Sequence, residues 1–193
     1  MQIIQYPHPV LRHLSKPLKR VDPQLRAIIR EMFDLMYAAN GIGLAANQVG
    51  LPYRLFVLNL KSSPEAKEEE HVFINPVITA RKGTAEGEEG CLSLPGLYAQ
   101  VKRSERATLN AYDLEGQEIT LPLEGLFARA VQHEIDHLDG VLFIDRLSPT
   151  ARIDLADGLS DFEVQFEGAR ERGEIASDSD IARHLAELEK LRT

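Results

Sequence analysis

QHEIDHLDG, residues 132–140, carries His133, Glu134 and His137 in the pattern H-E-x-x-H. A helix brings positions i and i+4 onto one face, so both imidazoles can grip one metal ion. The glutamate between them can then move a proton for a water on that ion. The neighbouring residues support a helix. Leu126, Ala130, His133 and His137 form one stripe at helical spacing, and Phe127, Val131, Ile135 and Leu138 form an apolar stripe beside it. A helix over residues 126–138, closed by Gly140, is therefore predicted, with Gln132, Asp136 and Asp139 on its other side. Two histidines on the buried side cost energy unless they are paired. This favours a metal site over a pair of idle core histidines.

Two imidazoles need a third ligand. A third histidine in the metzincin position would fall at 143, which is Phe143. A downstream glutamate would be Glu163 or Glu167, in an acidic stretch without a helical frame. Cys91 is the only cysteine of the chain and lies in EEGCLSLPG, read as a turn-like stretch after a strand. A thiolate with two imidazoles leaves one position open for water. A single cysteine also rules out an intrachain disulfide.

Further upstream, GIGLAANQVG (41–50) contains G-x-G-x-x-A. A dinucleotide fingerprint needs a strand before it and a helix after it, and an acid about 20 residues on. Here the order is reversed and the later position is Lys61. The stretch instead offers backbone that can approach a ligand closely, ending in Gln48, whose amide can donate to an oxyanion.

Around these stretches, Asp22-Pro23 opens a helix that ends at Asn40-Gly41. Residues 53–60 and 71–80 read as strands, 98–113 as one or two strands, and 117–123 as another. VLFIDRL reads as a short strand or extended exit broken by Pro149, and a last helix is expected from Ser179 or Asp180. The fold class is α+β: antiparallel sheets around a central metal-binding helix, with an N-terminal helix and a C-terminal extension. The expected division is a catalytic domain over 1–149 and an acidic extension over 150–193. Net charge is −8, with no basic stripe and no tryptophan, so no nucleic-acid motif is read. No apolar run approaches a membrane span, and the start lacks a secretory pattern, so a cytoplasmic location is expected.

GIGLAANQ, EGCLS and QHEIDH, in this order, closely resemble the three signature motifs of the peptide deformylases, in their bacterial and organellar subgroup. The resemblance runs from about Ile3 to Pro149 and includes QYPHPVLR, the INP strand and LFIDRLSP. It implies a hydrolase that removes the N-formyl group from the formylmethionine of new polypeptides, with a metal-bound water as nucleophile. It matches Cys91, His133 and His137 to the ligands of one divalent metal, ordinarily Fe2+, with Zn2+ or Ni2+ possible in a purified sample. It matches Glu134 to the acid/base, and Gln48 and the Leu92 N–H to donors facing the formyl oxygen. Ile42, Gly43 and Gly90 match backbone that pairs with the peptide, while Tyr98, Phe127 and Ala130 fall near the methionine pocket. Around the metal, Glu89 is expected to orient a ligand and Asp136 to pair with a base such as Arg103. The chain departs from its bacterial relatives in its tail. Several of these end in a basic helix that docks on the ribosome, whereas residues 151–193 hold 11 acids and 6 bases, a net of 6 − 11 = −5. Proximity to the ribosome is expected, but that docking mode does not carry over. Two other readings need testing against the site: a small metallopeptidase, and a binding module with a closed structural metal.

Overall fold

In the computed structural model, which describes residues 1–193, helix α1 spans Pro23–Ala38. Its start is fixed chemically: Asp22 is the N-cap, accepts a hydrogen bond from Leu25 N–H, and is followed by proline. Leu25, Ile29, Met32, Phe33 and Met36 form its buried face. Asn40, at φ 55°, turns the chain out of the helix.

The main sheet has five strands, all paired antiparallel, in the order β1 (Gly43–Ala45), β2 (Leu55–Leu58), β3 (His71–Lys82), β6 (Arg106–Tyr112) and β7 (Glu118–Glu124). β4 (Ala85–Cys91) and β5 (Leu94–Arg103) form a separate hairpin. β2 is buried along its whole length, as expected for an apolar strand covered on both faces. β3 is interrupted between Ile74 and Val77, where Asn75 sits at φ 51°. The Asn75 side chain accepts from Leu18 N–H and donates to Leu18 O, both at 2.8 Å, replacing the strand partner that Pro76 cannot support.

Helix α2 (Gly125–Leu138) packs against β1, β2, β6 and β7. It is buried on all sides beyond Phe127 except at Arg129, which is half-buried. Gln132 and Asp136, placed by the sequence on an outer side, are 6% and 7% exposed. The reason is that the β4–β5 hairpin and the 3-10 turn at Phe143–Arg146 cover that side. That turn also corrects the expectation of an extended exit: the Asp145 side chain accepts from Leu142 N–H and bends the chain. Cys91 is not in a loop. It closes β4 and pairs with Leu94 across a two-residue turn, Leu92-Ser93.

Beyond Pro149 the chain is helical: α3 (Pro149–Asp154), α4 (Ala156–Glu171) and α5 (Asp178–Arg192). α4 escaped the sequence reading because only Leu159 and Phe166 of it are buried, too few to make a period legible. Ser177 caps α5, so this helix begins slightly earlier than expected, and Leu185 is its buried anchor. Leu159 and Leu185 join Val10, Leu11, Leu94, Val101 and Phe143 in one apolar cluster, against which Cys91 also packs. Arg192, 5% exposed, ties α5 to the start of α1 through Asp22, Gln24 and the Tyr53 hydroxyl.

Candidate active site

α2 delivers His133 and His137 one turn apart, and the end of β4 delivers Cys91 beside them. His133 Nε2 and His137 Nε2 lie 3.2 Å apart, and His137 Nε2 lies 3.2 Å from Cys91 Sγ. The three donor atoms are all within 4.8 Å of one another. Two ring nitrogens facing each other can share only one proton, and with the thiol beside them the three donor atoms could hold a metal ion. A tetrahedral ion with bonds of about 2.0–2.1 Å to nitrogen would set neighbouring nitrogens roughly 3.3 Å apart, which the observed spacing fits. Burial and the neighbouring His133 hold His137 well below its ordinary pKa, so it is a neutral imidazole with a lone pair to give.

Glu134 sits on the cleft side of α2 and is 5% exposed. Burial pushes its carboxyl up to about 7, where a group both takes and returns a proton near neutral pH. Its Oε2 is buried and has no hydrogen-bond partner, an unmet capacity that a substrate or water would use. Gly43 is required opposite it, because a Cβ there would run into the Glu134 carboxylate. Gln48 is 1% exposed, and its orientation is fixed: Oε1 accepts from Ala45 N–H at 2.8 Å. Its Nε2 therefore faces the hairpin, 3.1 Å from Ser93 Oγ and 3.5 Å from Cys91 Sγ.

Glu89 receives His133 Nδ1 at 2.9 Å and is gripped by Arg103 through Nε at 2.9 Å and Nη2 at 2.8 Å. Burial alone would raise the Glu89 carboxyl, but the hydrogen bonds from Arg103 and His133 reverse this and hold it well below the usual range. Arg103 reaches Asp136 with its other nitrogen, and Arg146 takes the remaining side of Asp136. A continuous buried chain of ions thus runs from His133 outward.

These groups open into a cleft of about 740 Å³ whose walls include Ile42, Gly43, Gln48, Gly90, Cys91, Leu92, Tyr98, Ala130, His133 and Glu134. The Tyr98 ring lies over Gly90, leaving no room there for a Cβ. Phe127 is a correction. One residue along a helix is a rotation of about 100°, and Phe127 is turned to His71 and Phe73, with ring centroids 5.5 and 6.3 Å away. Leu126 and Arg129 line the cleft instead. Sequence reasoning missed both, as well as Ser93 and Arg146. Arg129 carried a usable signal: it is a charged residue four before His133, on a helix otherwise fit for burial.

A thiol and two imidazoles converging beside a buried glutamate, in an α+β frame, define a metal-dependent hydrolase of the H-E-x-x-H kind. The family profile described as polypeptide deformylase matches residues 1–152. A peptide deformylase of Rhodopirellula baltica is 46% identical over 196 residues, spanning 100% of this chain and 96% of the relative. One from Neisseria meningitidis is 46% identical over 148 residues, 77% of this chain and 87% of the relative. Among solved structures, a Plasmodium falciparum peptide deformylase superposes with a TM-score of 0.84 at 35% identity, over 86% of this chain and 98% of the other. An Arabidopsis thaliana peptide deformylase with a bound inhibitor gives 0.84 at 38% identity, over 92% and 97%. The chain belongs to the polypeptide deformylase family, hydrolases that remove N-formyl groups.

Proposed function

We propose that Cys91, His133 and His137 hold one divalent ion, and that the site removes the formyl group from the N-terminal formylmethionine of newly made polypeptides. The convergence of the three donor atoms beside the partnerless Glu134 oxygen carries this reading. A bound ion would supply Lewis acidity, easing deprotonation of a water and polarising the formyl oxygen. Glu134 takes the proton of the attacking water and returns it to the departing amine. Gln48 Nε2 and the Leu92 N–H donate to the oxygen as negative charge gathers on it. The backbone of Ile42, Gly43 and Gly90 aligns the peptide as an added strand. Ala130 and Leu126, with Tyr98 at the rim, receive the methionine side chain. Glu89 fixes the His133 ring, and Arg103 and Asp136 fix Glu89.

Fe2+ is the ion assigned in the cell, with Zn2+ or Ni2+ accepted by the same thiolate and imidazole set in a purified sample. Residues 1–149 are assigned as the catalytic domain and 150–193 as its extension. The reading carries with it a cytoplasmic location near the ribosome, where formylated chains emerge. No helix of the chain is long and apolar enough to cross a membrane. Formate release from formyl-Met peptides, compared with amine release from the same peptides unblocked, tests the assignment. Turnover of formylated substrate alone is expected. Cleavage of internal bonds in unblocked peptide would replace it with the metallopeptidase reading.

A further inference from the structure

Cys91 and the two histidines lie on different elements, so their spacing depends on what holds β4 against α2. Glu89 and Arg103 reach across this gap from the hairpin, to His133 and Asp136, and Arg129 is the side chain of α2 that reaches both hairpin strands. It is 13% exposed, and its two terminal nitrogens reach four acceptors on the hairpin. Nη1 donates to Glu89 Oε1 at 2.8 Å, to Val101 O at 2.9 Å and to Gly87 O at 3.3 Å, while Nη2 donates to Ala85 O at 3.0 Å. One cation on the metal-bearing helix thus fastens both strands of the hairpin that ends in Cys91. Glu89 is the shared point. Its Oε1 accepts from Arg129 and Arg103, and its Oε2 from Arg103 and His133. Each N–H that Arg129 places on this carboxylate draws away charge otherwise available to the His133 ring, so Arg129 also sets how strongly His133 donates to an ion. β4 is shaped to let it in: a Cβ on Gly87 would lie 3.0 Å from Arg129 Cζ and Nη2.

Resting on the three-ligand reading above, we infer that Arg129 is a positioning residue, one that sets the spacing between Cys91 and the histidine pair and tempers His133 as a ligand through Glu89. Its planar fork is essential, since a lysine ammonium cannot satisfy the same spread of acceptors.

The test uses Co2+ in the full-length protein, read by its thiolate charge-transfer and d–d absorption bands and by competition with a chelator. Wild type should show one cobalt per chain with a thiolate band. Arg129→Met should weaken cobalt binding by about ten- to a hundredfold, the usual effect of losing a partner behind a ligand. The bands of the fully loaded protein should shift as well. Arg129→Lys should recover only part of either effect. Gly87→Ala displaces the guanidinium without deleting it, and should shift the bands the same way by a smaller amount even if Arg129→Met does not fold. A residue that served folding alone would lower Tm and leave the loaded spectrum and affinity as in wild type; that result, in Arg129→Met or in Gly87→Ala, overturns the inference. Absence of a thiolate band in wild type would instead overturn the three-ligand reading and take the inference with it.

Discussion

Glu134 and Cys91 are the residues on which most depends. Glu134 is buried with an unpartnered oxygen, and no other acid of α2 faces the cleft; Asp136 is consumed by Arg103 and Arg146. Glu134→Gln should therefore keep one metal per chain and lose about a hundredfold or more in kcat/KM, as expected when a proton-transfer group is removed. Assay of a metal-replete sample checks this, and near-normal turnover would remove Glu134 from the chemistry. Cys91 is the chain's one thiol and is only partly buried. With iron loaded, activity should decay in air and persist under argon as the thiol is oxidised, with no second cysteine to rescue it as a disulfide. A nickel or zinc form should be stable in both atmospheres. Time courses for each form, followed by mass analysis of Cys91, are the measurement. At this scale much was legible, because spacing and residue type alone point to a thiol and a histidine pair. Phe127 was misplaced because a single residue on a helix separates a cleft wall from a core.

The elements show where local signals were strong enough to read. α1 was marked by a cap, a proline and a clean apolar period, and α2 by two adjacent stripes. α4 was not, since most of it faces water and its two buried residues are seven apart. The Phe143–Arg146 turn depends on a side-chain bond from Asp145 that apolar patterning does not reveal. The Asp22 cap does more than start α1. Its backbone bond to Leu25 and its pairing with Arg192 hold its carboxyl below the ordinary value. A depressed folded-state pKa contributes stability above the unfolded value of about 4, which is lost as pH falls through the folded one. Asp22→Asn should therefore lower Tm at pH 7, and the difference should shrink as pH falls through the depressed folded value. Thermal melts of both proteins across this range decide the matter, and a constant difference at every pH would show that the charge is irrelevant.

For the whole molecule, the sequence suggested a catalytic body with an appended acidic tail. The structure puts the last two helices into the packing. Leu159, Phe166 and Leu185 are buried, and two of them share a cluster with Leu94, Val101 and Phe143 beside the Cys91 strand. Burying side chains of this size contributes about 1.5–3 kcal/mol each, and their sum is comparable to the net stability of a typical domain. A chain ending at residue 152 should therefore melt 10 °C or more lower, taking about 2–4 °C per kcal/mol, or fail to fold. Calorimetry of this truncation tests it; an unchanged Tm would make residues 153–193 a true appendage. Tertiary packing of this kind was out of reach of the sequence, because three scattered apolar residues in an acidic stretch do not announce their partners.

The bond from Arg192 to Asp22 joins positions 170 residues apart. During synthesis, α1 is made early and its cap has no such partner until the last helix has followed Cys91, His133 and His137 out of the ribosome. At roughly 5–20 residues per second, the 55 residues from His137 to Arg192 (192 − 137 = 55) take several seconds to make. Every new copy thus passes through an interval in which the residues proposed to hold the metal have been made but the Arg192 buttress is missing. Cells that elongate this chain slowly expose that half-built form for longest, and encounters with proteases and holding chaperones should concentrate there.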